Sequence, residues 1–514
     1  MTSGQGRSRS SRRDHRIATA TALALAALTG GLLVPTVAGS AFAATGDRAS
    51  VSGRYGDFNG DGYVDLAASA PDATVDGLAG AGAVTIAYGS ADAAGATQAE
   101  RVTISQNTQT VGGQAETGDH FGFSVAIADF NNDGFADLAT GTPGEDVEDD
   151  QDAGIVQILW GSRDGLRGSA TLDDPTNSDQ DAHGRTLAAG DFNGDGKDDL
   201  AAGNTSAQAW LYAGGITNDG TDSGTYPVGN LNAWGGEVVA LTAGDVTGDG
   251  ADDLLVNHRD LYRSGADAST LGLQPPVDVA GGRDLYSSVF ADFDNDGYGD
   301  VVVGRAGGHG GEITWIPGRP VSQTDPTWTL DWDRSATLDQ GAFDTPGENG
   351  LYDQYGAGLA AGDINGDGYD DLAVGDPNED TDDGTGTGTV ADAGHVTVMY
   401  GGSIGLTTTN RQVFDQGTEG VPGDNEAGDG FGSRLLLSDL DADGRKDLTI
   451  AALGEDGGSG SLTTLLGTDS TLTVTGARSL TPTSYLLSTD GGPHLGSSLQ
   501  GHPPITPRPL PEAG

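Results

Sequence analysis

Residues 57–66 read DFNGDGYVDL, and six further copies of this acidic, glycine-containing segment follow along the chain. The shared pattern is Asp-x-[Asn/Asp/Thr]-x-Asp-Gly-x-x-Asp-[Leu/Val], and successive copies start 47–76 residues apart. Such a recurrence indicates a repeat architecture in which each copy belongs to one supersecondary unit. The other copies are DFNNDGFADL at 129–138, DFNGDGKDDL at 191–200, DVTGDGADDL at 245–254, DFDNDGYGDV at 292–301, DINGDGYDDL at 363–372 and DLDADGRKDL at 439–448.

The spacing of the acidic residues in each copy suits a calcium ion. Ca²⁺ prefers six to eight oxygen ligands, and positions 1, 3 and 5 of a tight loop turn their side chains toward one centre. Glycine at position 6 allows the sharp reversal of the backbone. Position 7 would donate only its backbone carbonyl oxygen, so its side chain is free to vary, and the aspartate at position 9 would complete the shell. The sequence therefore predicts up to seven structural Ca²⁺ ions.

The predicted ligand sets differ in charge. The fourth loop has Thr247 at position 3, an uncharged and weaker ligand, and we expect it to bind Ca²⁺ least tightly. The fifth and seventh loops carry four carboxylates each and are expected to bind it best. In chain order the predicted metal ligands are Asp57, Asn59, Asp61, Tyr63, Asp65; Asp129, Asn131, Asp133, Phe135, Asp137; Asp191, Asn193, Asp195, Lys197, Asp199; Asp245, Thr247, Asp249, Ala251, Asp253; Asp292, Asp294, Asp296, Tyr298, Asp300; Asp363, Asn365, Asp367, Tyr369, Asp371; and Asp439, Asp441, Asp443, Arg445, Asp447.

The loops differ from EF-hands, which need a carboxylate at position 12. Here position 12 is apolar or threonine in every copy and continues a segment such as DLATG at 137–141, which is typical of a β-strand. A plainer interpretation is that the loops are Asx-turns on an acidic surface. Seven copies with aspartate at positions 1, 5 and 9 disfavour it.

The remainder of each repeat is also patterned. An aromatic–glycine pair about eight residues before several loops begins an alternating strand, as at Phe121-Gly122, Tyr355-Gly356 and Phe431-Gly432, with His183-Gly184 as a variant. After the loop, a turn precedes an apolar strand such as GIVQILWGS at 154–162. Each repeat thus holds about four short strands, the content of one propeller blade.

These combined features resemble the FG-GAP repeat of the integrin α-chain N-terminal β-propeller, in the form of its secreted bacterial relatives. The resemblance covers roughly residues 50–501. It implies an all-β fold, a seven-bladed β-propeller with a Ca²⁺-binding loop in each blade. Typical integrin α-chains carry calcium loops in only some blades, whereas every repeat has one here, which favours a structural metal throughout. No motif matches the ligand-contacting loops of integrins.

The ring is expected to close through its C-terminal segment. The first loop lacks an aromatic–glycine strand before it, and Leu495-Gly496 begins such a strand with no loop after it. The segment from Leu495 to about residue 501 would therefore complete the first blade. Residues 44–501 form the predicted propeller, and residues 502–514 form a proline-rich tail that we expect to be disordered.

The N-terminus has the composition of an export signal. Arginines precede a weakly apolar stretch at 17–39, and Ala41-Phe42-Ala43 is a small-residue cleavage pattern. Residues 1–43 are thus a predicted signal peptide, and the Arg12-Arg13 pair leaves open whether export is Sec or twin-arginine dependent. An uncleaved anchor is disfavoured by Pro35. No other apolar run of membrane-spanning length occurs, so no span is expected in the mature chain.

Composition excludes several function classes. The net charge of −52 disfavours nucleic acid as a partner, because phosphate binding needs clustered Lys and Arg. The chain has no cysteine, which excludes disulfides and zinc–thiolate sites, and its 87 glycines favour many tight turns. A Gly-x-Ser-x-Gly match at 401–405 lacks the strand-turn-helix context of a nucleophile elbow, so no catalytic residue is predicted.

Two functions remain open at this point. The first is an exported, monomeric, calcium-stabilised module, secreted or associated with the cell surface, that binds or adheres to an extracellular protein or glycan. The second is an extracellular propeller enzyme, a hydrolase or polysaccharide lyase, with an acidic active site that carries no recognisable motif. A purely structural extracellular protein is a third reading. Seven loops saturated by their own ligands favour the first, since a catalytic metal needs an open position.

Overall fold

A computed structural model describes residues 56–499 apart from 92–99, 177–179, 229–236, 264–275, 280–284, 306–309, 320–329, 341–352 and 383–387. The predicted signal peptide at 1–43 and the predicted tail at 502–514 lie outside the described residues. Within the described part of the chain, no helix is long and apolar enough to cross a membrane.

The described strands form seven successive antiparallel sheets. Two short helical turns accompany them, α1 (Glu455–Gly458) and a 3-10 turn at Pro482–Tyr485. The strands, sheet by sheet, are β1 (Leu66–Ala70), β2 (Ala83–Ala87) and β3 (Arg101–Ile104); β4 (Ser124–Ala128), β5 (Asp137–Thr142), β6 (Ile155–Leu159) and β7 (Ser169–Leu172); β8 (Thr186–Gly190), β9 (Asp199–Gly203), β10 (Ala209–Tyr212) and β11 (Thr225–Pro227); β12 (Leu241–Gly244), β13 (Asp253–Val256), β14 (Asp260–Tyr262) and β15 (Val277–Asp278); β16 (Leu285–Ala291), β17 (Asp300–Arg305), β18 (Glu312–Ile316) and β19 (Ala336–Leu338); β20 (Gly358–Gly362), β21 (Asp371–Asp376), β24 (His395–Tyr400) and β25 (Thr407–Phe414), with β22 (Thr381–Asp382) and β23 (Thr389–Val390) as a separate hairpin; and β26 (Phe431–Ser438), β27 (Asp447–Ala452), β28 (Ser461–Leu466) and β29 (Thr473–Leu480).

The hydrophobic core is divided into seven clusters, each lying between two neighbouring sheets. The cluster between the first two sheets, for example, packs Ile86 and Phe121 together. Another joins Leu462 of the seventh sheet to Leu66 of the first, so the ring of sheets is closed. The first strands of successive sheets contact one another from β4 to β26 and form the inner wall. The chain is therefore a seven-bladed β-propeller, which confirms the predicted all-β architecture and number of blades.

Closure of the ring uses the C-terminal segment, as the sequence predicts. Leu499 pairs with Ala68 of β1 in an antiparallel bridge. The Ser69 amide donates to the carbonyl of Ser498 at 2.9 Å, and the Gly496 amide donates to the carbonyl of Ser69 at 2.8 Å. Blade one is thus built from both ends of the described chain.

The aromatic–glycine pair has a clear packing role. Phe121 is fully buried between the first and second blades. Gly122 follows with a φ of +78°, and a Cβ there would lie 2.4 Å from Cγ2 of Val84 in the preceding blade. Only glycine fits both the left-handed backbone and the close approach. The pair therefore locks neighbouring blades together.

Candidate metal centres

In blades two to seven, each acidic loop connects the innermost strand to the second strand. The second loop, for instance, joins β4 to β5, and the first loop leads into β1, which pairs with the C-terminal segment. Because strands alternate in direction within an antiparallel blade, all seven loops lie at the same end of the ring. The propeller therefore presents a circle of seven acidic turns on one face.

The aspartate at position 1 organises every loop. Its carboxylate accepts the backbone N–H of position 5 at 2.9–3.3 Å in all seven copies. It also accepts the N–H of the position 6 glycine at 2.8–3.0 Å. The position 5 carboxylate in turn accepts the N–H of position 7 at 2.9–3.1 Å. The seven sequences thus fold into one common turn.

The position 6 glycine is required for its backbone and not for space. Its φ lies between +86° and +94° in all seven loops. In the second loop, a Cβ on Gly134 would meet no atom within 4 Å. A side chain would therefore fit sterically, but the left-handed backbone disfavours any L-residue that carries one.

The position 9 aspartate clamps the loop onto the blade. It is at most 1% exposed in every copy, and its Oδ2 accepts the N–H of position 2 at 2.8–3.2 Å. In six loops its Oδ1 accepts the N–H of a glycine after the third strand at 2.7–2.9 Å. A structural role for position 9 is therefore visible, whereas its role as a metal ligand stays a prediction.

Burial of these carboxyls, together with the neighbouring aspartates of the same loop, raises their pKa. A nearby cation would favour the charged form instead. The pKa rises to about 8 for Asp65 and Asp137, and to about 7 for Asp199, Asp300, Asp371 and Asp447.

The two loops with four carboxylates bring their acids closest together. In the fifth loop, carboxylate oxygens of Asp292, Asp294 and Asp296 lie within 4.8 Å of one another, and the seventh loop groups Asp439, Asp441 and Asp443 in the same way. Oxygen-only donors at this density are the set that Ca²⁺ prefers. The residues present therefore fit a calcium ion.

An arginine contacts a carboxylate of each of these two loops. Arg334 comes from outside the fifth loop, whereas Arg445 is position 7 of the seventh loop. In the fifth loop, Nη2 of Arg334 donates to Oδ2 of Asp294 at 2.6 Å. In the seventh, Nη1 of Arg445 lies 3.1 Å from Oδ2 of Asp443. A guanidinium on a ligand carboxylate competes with a cation for that oxygen. The expectation that these two loops bind best is therefore opposed by their arginines.

A further acidic group lies away from the loops. Asp376 and Glu379 are buried, and their carboxylate oxygens lie within 4.8 Å of one of Asp353. Burial raises the pKa of Glu379 to about 7. No local sequence pattern indicates this group, because its buried contacts form only when the segment of Asp353 meets that of Asp376 and Glu379.

Two other sequence features have structural roles. His183, at an aromatic–glycine position, is buried, and its Nε2 lies 2.8 Å from the hydroxyl of Tyr212. The Gly-x-Ser-x-Gly match forms a tight turn between β24 and β25, where the Gly405 amide donates to the carbonyl of Gly402 at 2.7 Å. This is not the strand-to-helix turn of a nucleophile elbow.

A family model for the FG-GAP repeat matches this chain at residues 55–86, 121–159, 183–222 and 355–399. The chain is therefore a β-propeller that contains FG-GAP repeats. The matched stretches of this FG-GAP propeller contain the first, second, third and sixth acidic loops. The other three loops share the same turn although they lie outside those stretches.

The FG-GAP propeller is similar to part of a curated enzyme. It is 35% identical over 157 residues to phosphatidylinositol-glycan-specific phospholipase D of Bos taurus and 34% identical over 154 residues to that of Homo sapiens. Each match covers 29% of this chain and 18% of the relative, so it spans less than a fifth of the relative's length. Among solved structures, BBS1N in complex with ARL6DN, soaked with lead, shares 11% identity at a TM-score of 0.37, over 66% of this chain and 77% of that chain.

Proposed function

We propose that this FG-GAP propeller is an exported, calcium-stabilised binding or adhesion module for an extracellular protein or glycan. The observation that carries the proposal is the circle of seven equivalent acidic turns, one per blade, at one end of the ring. Because every blade has the same turn, the metal ions would have a structural role. The rest of the propeller surface would then be available to bind a ligand. The predicted signal peptide supports export.

Calcium would replace covalent cross-links in this protein. The net charge of −52 makes the folded ring self-repelling, and the chain has no disulfide. An ion that binds only the folded state stabilises it by about 2.7 kcal/mol per site at 100-fold excess over Kd. Extracellular modules bind Ca²⁺ at about 10⁻⁴–10⁻³ M. Up to seven ions at such affinities would hold the blades in place outside the cell.

The binding role is tested by retention of the purified protein on immobilised polysaccharides and extracellular-matrix proteins, with millimolar Ca²⁺ or EGTA. We expect saturable retention on at least one class in calcium and its loss in EGTA. Retention on none of these materials would contradict the proposed binding role. Release of soluble fragments during the incubation would favour an enzyme instead.

An enzyme is the second candidate function. Two observations favour it: the partial similarity to enzymes named phospholipase D, and the buried pair Asp376 and Glu379. A carboxyl with a pKa of about 7, such as that of Glu379, is suited to general acid–base catalysis in a hydrolase or lyase. Turnover of a polysaccharide or glycolipid substrate that is lost in Glu379→Gln but kept in the exposed control Glu419→Gln would establish it.

A further inference from the structure

A second motif recurs at the other end of the ring. Gln-x-Thr-x-x-Val-x-Gly occurs at 106–113 and again at 416–423, directly after the outermost strands β3 and β25. Both copies fold into the same two consecutive turns. The Thr108 and Thr418 amides donate to the carbonyls three residues earlier at 2.9 and 3.2 Å, and the Val111 and Val421 amides repeat this bond at 2.8 and 3.0 Å.

The glutamine of each motif is buried against a glutamate from the following blade. Gln106 is 2% exposed and its Nε2 donates to Oε2 of Glu145 at 2.6 Å. Gln416 is 3% exposed and its Nε2 donates to Oε2 of Glu455 at 2.5 Å. Among the described residues, no donor reaches the buried Oε1 of either glutamine. A buried carboxamide oxygen without a donor is costly and is a suitable ligand for a cation.

A buried aspartate lies close to each glutamate and repels its charge. In blade two, Asp119 is 3% exposed, and its Oδ2 accepts the amide of Glu116 at 2.5 Å. Its carbonyl accepts the amide of Gly144, next to Glu145, at 3.1 Å. Burial raises the pKa of Glu145, and repulsion from Asp119 and Glu116 adds to the rise. Negative charge is therefore concentrated around the carboxamide of Gln106.

Blade seven repeats the arrangement. Asp429 is 2% exposed, and its Oδ2 accepts the amide of Glu426 at 2.8 Å. Its carbonyl accepts the amide of Gly454 at 2.8 Å. Burial raises the pKa of Asp429 to about 6, with added repulsion from Glu455 and Glu426. The same three types of side chain therefore meet at two positions that lie far apart in the sequence.

We propose that these two amide–acid clusters, Gln106–Asp119–Glu145 and Gln416–Asp429–Glu455, are cation sites of a second class that bind Ca²⁺. The metal ligands of each site would be one carboxamide oxygen and two carboxylates, which are all hard ligands. Nε2 faces the glutamate in this structure, so Ca²⁺ would replace that hydrogen bond. A rotation of the carboxamide by about 180° exchanges its oxygen and nitrogen and brings Oε1 to the ion. Blade six has a related group, in which Nε2 of Gln340 lies 2.6 Å from Asp376 and 2.9 Å from Glu379.

These clusters are separate from the seven acidic loops. The acidic loops lie where the first strand of a blade ends, whereas each cluster joins the loop after the second strand to the connection from the preceding blade. In an antiparallel blade those two positions are at opposite ends of the strands. Loss of an ion from one class therefore leaves the ligands of the other class in place.

Calcium stoichiometry tests the proposal. Equilibrium dialysis with radioactive calcium would compare the purified wild type with Glu145→Gln/Glu455→Gln. We expect the double variant to bind two fewer ions, and the control Glu148→Gln/Glu419→Gln, which removes the same charge from exposed positions nearby, to bind as many as wild type. Equal stoichiometry in wild type and the cluster variant, or an equal loss in the control, would overturn the proposal.

A second variant covers the case in which the first fails to fold. Gln106→Glu/Gln416→Glu places a third carboxylate in each cluster. If the cluster binds Ca²⁺, the variant melts below wild type in EGTA and recovers in millimolar calcium, so that its calcium-induced rise in Tm exceeds that of wild type. If the glutamine serves only as a hydrogen-bond donor, the calcium-induced rise equals that of wild type, and the proposal is wrong.

Discussion

Nδ1 of His494 lies 2.7 Å from Oδ2 of Asp72, and this contact ties the segment that closes the ring to blade one across 422 positions of sequence. On the other side of the same carboxylate, Nδ1 of His120 from the start of blade two lies 3.2 Å from Oδ1. One aspartate therefore connects three segments that meet at the closure. Burial opposes ionisation of Asp72, but the hydrogen bonds from both histidines outweigh it and hold its pKa well below the usual range.

The closure contact predicts a pH dependence. The hydrogen bond to Asp72 raises the pKa of His120 against the effect of burial, and Asp119 adds to the rise. The contribution of His120 is full below its unfolded pKa of about 6.5 and is lost as pH rises through its folded value, whereas that of Asp72 is present above about 3.9. Asp72→Asn should therefore lower Tm more at pH 5.5 than at pH 8.5. Thermal melts at constant saturating calcium measure this, and an equal loss at both values would contradict it.

Removal of one acidic-loop ligand should remove one ion. In Asp133→Ala the second loop loses a predicted ligand and the acceptor for the Phe135 amide. We expect one fewer bound Ca²⁺ and a smaller calcium-induced rise in Tm. Asp164→Ala, at an exposed position of the same blade, serves as the control and should leave both unchanged. An unaltered stoichiometry in Asp133→Ala would show that the loop is an ordinary turn.

Loss of the arginine that contacts the fifth loop should strengthen calcium binding there. Arg334→Gln frees Oδ2 of Asp294 from the guanidinium and removes a nearby positive charge. We expect the affinity of one site to rise roughly tenfold, in line with about 1.4 kcal/mol. Calcium titration by calorimetry measures the change. The exposed Arg163→Gln is the control for net charge, and a similar or larger gain in that variant would refute a local effect.

Two glycine substitutions should separate backbone strain from steric clash. Gly134→Ala introduces a side chain with open space around it but at a φ of +92°, and should cost about 1 kcal/mol of unfolding free energy. Gly122→Ala adds a clash with Val84 to the same strain, and should cost about 3 kcal/mol. Urea denaturation in calcium compares them, and equal losses would contradict the packing role of Gly122.

Short-range patterns were sufficient for most of the architecture. The loops and the aromatic–glycine pairs depend on contacts within one repeat or between adjacent repeats, so a period of strands and turns predicts them. The closing segment at Leu495 pairs with blade one across more than 400 positions, and it was predictable only because it repeats the strand pattern that the first repeat lacks. The contact of Arg334 with Asp294 joins residues 40 apart in different parts of a blade, and no local pattern records it. The hydrogen bonds that Asp137 accepts from the backbone could not be predicted for another reason. An aspartate that binds a metal and one that accepts buried N–H groups look the same in the sequence.

The amide–acid clusters also depend on contacts that no local sequence pattern records. Gln106 and Glu145 lie 39 positions apart, as do Gln416 and Glu455, and each pair joins two blades. The repeated Gln-x-Thr-x-x-Val-x-Gly motif was a detectable signal in the sequence. Its partner acids lie among many other acidic residues, so their selection required the folded ring.

We propose that calcium holds the propeller together through its acidic loops. Thermal melting of the purified protein in excess EGTA and in millimolar Ca²⁺, with the number of bound ions measured on the same sample, tests it most directly. We expect a large calcium-dependent rise in Tm with at least six ions bound. An unchanged Tm with few or no ions bound would contradict it and would leave the seven loops as ordinary turns.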